Sequence, residues 1–460
     1  MADPVTAFWH PFADMSAVAG RDFVIASGDG AYVVDESGRR YLDSTAALWY
    51  ANVGHGRESI AAAVAKQMTS IASYSNFGDY STRVTLDLAD RLAAMAPMPD
   101  ARIFFTSGGS DAVDTAAKLA RRYWQVRGQH DRTVIISRTR AYHGMHMAGT
   151  ALAGIPGNKD GYGSIGMSVA NVEWDDADAL ARTIDEIGAG NVAAFFCEPV
   201  IGAGGIFFPP AGYLESVRRI CAERDVLFVA DEVITGFGRT GRMFASEGLD
   251  PDMMLVAKGL TSGYQPMGAV FVAGRIAEPF WTTPGLIWRH GYTYSGHACA
   301  AAAAMANLDI IEQESLVDRV ASLQVSLSAA LLGLREHSWV TDVRTGMGLL
   351  GAVTIDPQVL ADDPTTFPRL IRAMREEGVV SRMLADGSFQ VSPPFVITRD
   401  ELQYLAGAID RVLTDAGSVR SGSLRGLDDV ELIPELVGDD SGGFGSLDAS
   451  LRENVPPHHG

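Results

Sequence analysis

Asp231 and Lys258 are the two residues whose types and spacing suggest chemistry. Asp231 closes the apolar run VLFVAD at 226–231, and Lys258 follows the run MMLVA at 253–257. Each run is too short for a globular helix and too uniformly apolar for a half-exposed strand. Both therefore read as buried parallel strands that deliver their charged residues to one sheet edge, the edge where open α/β sheets bind ligands. Desolvation lowers an amine's pKa, so Lys258 among apolar neighbours is neutral often enough to form a Schiff base with a carbonyl. A buried Asp231 needs a cationic partner, because an unpaired carboxylate there is costly or takes up a proton. A pyridinium nitrogen meets that need. Pyridoxal 5′-phosphate suits both residues, with its aldehyde on Lys258 and its ring nitrogen kept protonated by Asp231, so that the ring acts as an electron sink. Singly, each residue has a plainer reading: a solvated strand end for the lysine, a cap for the aspartate.

A second pattern supports the joint reading. The segment ARIFFTSGGSD at 101–111 gives a short strand, a Ser/Gly loop and then a helix with apolar residues at Val113, Ala116, Ala117, Ala120, Tyr123 and Trp124. Free backbone N–H groups and the positive end of the helix dipole face such a loop and make an anion site. Gly108 and Gly109 let backbone approach a ligand closely. Tyr142 follows the strand at 133–137, where an aromatic can stack on a cofactor ring. Another strand, 192–198, ends at Glu198 and leads into the glycine loop IGAGG at 201–205. The letters GFGRTG at 236–241 match the dinucleotide fingerprint, but 242–252 holds Gly248, Pro251 and no helical period, so the match is rejected. Trp49, in a Gly-punctuated loop, reads equally as a packed corner or as a wall of a substrate pocket. Arg382 reads as a surface arginine or as a bidentate clamp for a carboxylate.

These residues require an α/β scaffold. Turn signals between 31–34 and 40–42 predict a hairpin, and helical spacing marks 57–73, 82–95 and 213–224. The region 145–168 has no period and is predicted to be a long active-site loop. A strand at 268–273 precedes a polar aromatic loop at 286–297, a candidate subunit contact, and an alanine-rich helix at 298–311. From about Asn307 the pattern changes to a long helix, strands at 340–344 and 351–354, and helices at 367–377 and 399–415. The expected architecture is therefore a large α/β domain (51–306) with a mostly parallel central sheet and a smaller α+β domain (307–420). Residues 1–50 are expected to pack with the small domain, and 421–460 to form an acidic tail of mobile composition.

The formal charge of −19 argues against nucleic acid or an anionic membrane as a partner. Part of it is local: 421–460 carries eight acidic residues against two arginines, a net −6 that leaves −13 for the body. Cys197, Cys221 and Cys299 are scattered without metal-ligand spacing, which fits a reducing compartment and no structural zinc. No basic and apolar leader opens the sequence, and no window approaches eighteen uncharged apolar residues, so a cytoplasmic protein is expected.

The segment DEVITGFGRTG at 231–241, with Lys258 in AKGL at 257–260, closely resembles the class III pyridoxal-phosphate-dependent aminotransferases. The likeness covers roughly 8–418 and extends to Leu48-Trp49, Tyr142-His-Gly144, EPVIGAGG at 198–205, TYSGH at 293–297 and SPP at 392–394. These are similar to the ω-transaminase branch, which takes amines or β- and ω-amino acids with pyruvate. The resemblance implies the pyridoxal-phosphate-dependent transferase fold type I, as a homodimer or a dimer of dimers with the active site at the subunit interface. It makes Lys258 the Schiff-base lysine and proton shuttle and Asp231 the partner of the ring nitrogen. Val233 and Tyr142 would sandwich the ring, Gly108, Gly109 and Ser110 would hold the phosphate, and Thr293 would reach the partner's phosphate. Glu198 would support the site from behind, Trp49 and Phe77 would line the substrate pocket, and Arg382 would bind the acceptor's carboxylate and swing aside for an amine without one. One departure is Gly108, which stands where the family's phosphate loop carries a serine; the lost hydroxyl is worth on the order of 0.5–1.5 kcal/mol unless Ser107 substitutes. The implied reaction is transfer of an amino group to an oxo acid in two half-reactions. An aminomutase, a dialkylglycine-type decarboxylase and a non-catalytic cofactor-binding regulator are the alternatives.

Overall fold

The computed structural model describes residues 6–421; the acidic tail expected from 421 onward lies outside them apart from Ser421. At its centre is a seven-stranded sheet in the spatial order Arg102–Thr106, Gly268–Val272, Met253–Val256, Leu227–Asp231, Val192–Cys197, Val134–Arg138, Val169–Val172. Gly268–Val272 runs antiparallel to both neighbours, and the other pairings are parallel. The four central strands from Met253–Val256 to Val134–Arg138 are almost wholly buried, as continuous apolar runs covered on both faces must be. Helix Gly109–Val126 crosses this sheet, burying Val113, Ala116, Ala117, Ala120, Tyr123 and Trp124. The alanine-rich helix Ala298–Gln313 packs on Glu58–Ser70 and Arg83–Met95, its small side chains permitting close approach.

The hairpin forms as expected. Strands Tyr32–Asp35 and Arg40–Asp43 pair antiparallel, Ile25–Asp29 adds an outer strand, and Val379–Val380 joins in parallel from the far end of the chain. A separate antiparallel sheet, Val340–Met347, Leu350–Ile355 and Ser388–Val391, carries the C-terminal region. Helix Leu316–Leu332 buries Leu316, Val320, Leu323, Leu327 and Leu331 on one stripe. The stretch Leu316–Glu336 is long and apolar enough by composition to cross a membrane; here its apolar stripe faces strand Val340–Met347 and the closing helix Arg399–Ser421.

Two expectations change. The stretch 145–168 is not loop throughout: Met147–Leu152 is a helix buried from Ala148 onward, followed by a short turn of helix at Pro156–Asn158. Glycines at 149 and 154 hide it from periodicity, and both sit where a side chain would strike backbone of 138–144. The division drawn at 306/307 falls inside helix Ala298–Gln313, where fully buried Asn307 donates Nδ2–H to the carbonyls of Gly259 and Leu260, at 2.8 and 3.0 Å. The segment 236–241 opens no helix, as its rejection as a dinucleotide site requires.

Arg239, from that segment, is fully buried and ties three distant stretches together. Its guanidinium donates to the carbonyls of Pro393 (2.6 Å) and Leu349 (3.3 Å) and to Asn52 Oδ1 (2.8 Å), and lies 4.6 Å from the Phe395 ring centroid. Arg239→Met keeps much of the volume but strands these acceptors, each costing about 1–3 kcal/mol if unmet. The expected result is a clearly lower thermal unfolding midpoint; an unchanged midpoint would contradict this account of the tie.

Candidate active site

Asp231 and Lys258 arrive on neighbouring parallel strands, with Asp231 in register with Leu255, three residues before Lys258. Lys258 adopts a left-handed φ of 41°, a conformation that costs a non-glycine residue about 1–3 kcal/mol and persists only where the surroundings enforce it. Asn307 grips the carbonyls just after it, and the Asn52 amide packs so closely on Gly259 that a side chain there would collide. Desolvation pulls the Lys258 amine down to about 8, aided by the nearby Arg382 charge and opposed by Asp231 and Glu198. The lysine is thus close to neutral at moderately alkaline pH, as a nucleophilic amine must be.

Asp231 already has a partner within the protein. Its Oδ2 lies 2.7 Å from Nδ1 of His143, itself 1% exposed, and its Oδ1 accepts the Val233 N–H at 3.1 Å. An ionised carboxylate only accepts, so Nδ1 carries the proton of that bond. The opposite ring nitrogen, Nε2, is buried without a protein partner. A carboxylate has about four acceptor positions, so these contacts leave Asp231 room for a further N–H. His143 was in plain view between Tyr142 and Gly144; the signal that could have found it is the need of a buried aspartate for a donor.

Glu198, 3% exposed, stands at the end of the adjacent strand and holds two loops in place. Its Oε1 accepts the Tyr142 N–H and its Oε2 the Gly202 N–H, both at 3.0 Å. Burial raises its pKa first, with the Asp231 charge adding to the rise, while His143 and the two backbone donors oppose it. Tyr142 is thereby fixed beside the same charges: burial, then Glu198 and Asp231, raise its phenol, and Arg382 opposes them.

The glycine loop opens helix Gly109–Val126 with no side-chain cap. The first helical N–H groups therefore lack intrahelical partners, and the side-chain position of Gly108 faces open space. Gly109 lies against Val233 and Ala257, where an added Cβ would come within 3.0 Å of the valine. Ser110 Oγ accepts the Met145 N–H at 3.1 Å, leaving its O–H to donate elsewhere, and Gly144 packs on Ser110 with a φ of 84° that suits glycine. An uncapped helix start, a glycine floor beside Val233, a desolvated lysine and a carboxylate with spare acceptor capacity fit pyridoxal phosphate.

Trp49 is 2% exposed, and its ring centroid lies 5.4 Å from Lys258 Nζ and 5.5 Å from the Arg382 guanidinium carbon. It packs with Val200, Ile206, Ile234, Leu350, Ala352 and Leu384 in a small apolar cluster. Arg382 is exposed overall, yet its charge reaches Lys258 and Tyr142. Two expected site residues stand elsewhere. Phe77 is 56% exposed and Thr293 is exposed as well. They share a different surface: the Phe77 ring lies against Gly291, and Asn76 donates to the carbonyls of Ser295 and Gly296.

The family model "Aminotransferase class-III" matches residues 15–413. A β-alanine–pyruvate aminotransferase of Pseudomonas aeruginosa is 36% identical over 88% of this chain and 95% of its own. A putrescine–pyruvate aminotransferase of the same organism is 37% identical over 86% and 91%. Among solved structures, an amine transaminase from an uncultivated Pseudomonas species superposes with a TM-score of 0.85 at 36% identity, covering 90% of this chain and all of that one. With the mostly parallel sheet and the lysine and aspartate at its edge, these likenesses place the chain in the class III aminotransferase family.

Proposed function

We propose that this enzyme moves an amino group from an amine or a β- or ω-amino acid to an oxo acid such as pyruvate, in two half-reactions. The observation that carries this reading is the pair on adjacent strands: an amine desolvated to about 8 and a buried carboxylate braced by His143. The substrates that relatives are named for, β-alanine and putrescine with pyruvate, support the choice of donors and acceptor.

Pyridoxal 5′-phosphate is the cofactor, and when bound it supplies a carbonyl and an electron sink. Lys258 would hold it, and Asp231 would keep a proton on its ring nitrogen. Gly108, Gly109 and Ser110 would take the phosphate on the helix start, and Val233 and Tyr142 would face the two sides of the ring. Lys258, once freed, would take a proton from the substrate carbon as general base and, as general acid, deliver it to the cofactor carbon that had carried the aldehyde, so that the amino group stays with the cofactor. Trp49 would wall the substrate space, and Arg382 would take the acceptor's carboxylate. Phe77 and Thr293, exposed and grouped together, fit a homodimer in which each would complete the other subunit's site. Three unpaired cysteines fit a cytoplasmic setting.

A panel of amines, diamines and β-amino acids with pyruvate, scored by alanine formed, tests the donor class; no turnover with any of them would overturn the reading. Mixed with amine alone, the loaded enzyme should release one equivalent of carbonyl product and no carbon dioxide, whereas a decarboxylase releases carbon dioxide.

Lys258→Ala is expected to abolish activity and the visible absorbance of the lysine-bound cofactor while the fold is retained. Arg382→Ala should weaken the pyruvate half-reaction at least tenfold and barely affect that of a simple amine; equal losses would show the arginine misassigned. In the cofactor-free protein, labelling of Lys258 by an amine-reactive reagent should rise with a midpoint near pH 8. Because the folded pKa lies below the ordinary lysine value of about 10.4, the unfolded chain binds more protons between the two, so this group's contribution to stability rises with pH across that window. A labelling midpoint near pH 10 would contradict the desolvation argument.

A further inference from the structure

The turn that carries Trp49 is held in a backbone its residues avoid. Ala46, Ala47 and Trp49 have φ values of 47°, 56° and 58°, and Ala47 combines its φ with a ψ of −82°, the strained left-handed γ conformation. Such residues persist only where the surroundings over-determine them. Asp43, 1% exposed, supplies that constraint. Its Oδ1 accepts the Thr45 N–H (3.0 Å) and lies 3.1 Å from the Thr45 hydroxyl, whose one proton it shares with the Ala47 carbonyl (2.9 Å); its Oδ2 accepts the Ala47 N–H (2.7 Å) and lies 2.9 Å from His55 Nε2.

The same strand end also fixes the segment bearing Arg382. Asp43 is in register with Val380, and Ser44 donates both its N–H (3.1 Å) and its hydroxyl (2.8 Å) to the Val380 carbonyl. Gln390 donates its N–H to the Arg382 carbonyl (2.9 Å) and its Nε2–H to Ser392 Oγ (2.6 Å), and the Ser392 N–H returns to the Ser44 carbonyl (2.8 Å). The circuit closes, so the positions of Trp49 and Arg382 are set against each other by one hydrogen-bonded frame.

We propose that Asp43 is a specificity-positioning residue: without touching the reacting atoms, it holds Trp49 against Arg382. It thereby sets the preference between small carboxylate-bearing substrates and bulky amines without a carboxylate. The inference rests on reading Trp49 and Arg382 as substrate-facing. An aspartate after a strand otherwise reads as a turn cap, but a cap alone would not select among substrates.

Asp43→Asn is nearly isosteric and puts an N–H donor where the Ala47 N–H and His55 need an acceptor. With the cofactor bound and the melting midpoint recorded, the ratio of kcat/KM for pyruvate to kcat/KM for a bulky arylalkylamine should fall at least tenfold, chiefly through KM for pyruvate. Ala47→Gly, which accepts the left-handed backbone freely, should recover much of that ratio in the Asp43→Asn protein. In a Trp49→Ala background, Asp43→Asn should change the ratio less than twofold. If Trp49→Ala alone leaves the ratio unmoved, the reading of Trp49 fails. If Trp49→Ala moves it but folded Asp43→Asn does not, or if the two effects simply add, the proposal for Asp43 is overturned. Should Asp43→Asn not fold, Thr45→Val, which removes the hydroxyl that links Asp43 to the Ala47 carbonyl, should shift the ratio at least threefold in the same direction, and no shift would overturn the proposal.

Discussion

The structure depends on bringing a carboxylate and an amine to the ends of adjacent strands at the edge of one buried sheet without letting their charges cancel. Asp231, 5% exposed, closes one buried strand, and half-buried Lys258 stands two residues past the end of its neighbour. Burial outweighs the attraction of Asp231 and Glu198 at the lysine, so the amine moves toward neutrality. At the aspartate, the His143 ring and the Val233 N–H supply hydrogen bonds to the two carboxylate oxygens. One group is poised to attack and the other to accept a hydrogen bond, and burial is what brings the amine into that role.

Around that pair, buried carboxylates act as backbone fasteners. Glu198 pins the loop of Tyr142 to the glycine loop through two N–H donors, and Asp43 pins the strained turn of Trp49. Arg239 does the converse, using one guanidinium to gather carbonyls from the C-terminal region and an amide from the N-terminal stretch. These fasteners join segments more than fifty residues apart or hold tight local turns. The loops around the lysine can therefore be irregular and still precise, as a site built on a rigid sheet requires.

What the letters revealed follows from the same physics. Buried parallel strands are continuous apolar runs, so the strands at 192–197, 227–231 and 253–256 and their terminal charges were legible. The edge strand Val169–Val172 was not, because half-covered VANV lacks such a run, and helix Gly274–Thr282 was masked by Pro279 inside it. The antiparallel direction of Gly268–Val272 has no local signature. His143 and Asp43 escaped because their importance lies in what they bond: His143 meets an aspartate 88 residues away, and Asp43 meets a turn whose strain no spacing rule exposes. Lys258 and Arg382 converge on Trp49, whereas Phe77 and Thr293 lie on a surface of their own, groupings that only folding could reveal.

Most depends on whether Asp231 would keep a proton on the ring nitrogen of the cofactor that Lys258 would hold. With pyridoxal phosphate labelled with ¹⁵N at the ring, the nitrogen's NMR shift in the loaded protein reports that proton directly. The nitrogen is expected to be protonated throughout the active pH range and to lose that proton in Asp231→Asn. A neutral nitrogen in the parent protein, or a protonated one that the substitution leaves unchanged, would contradict it.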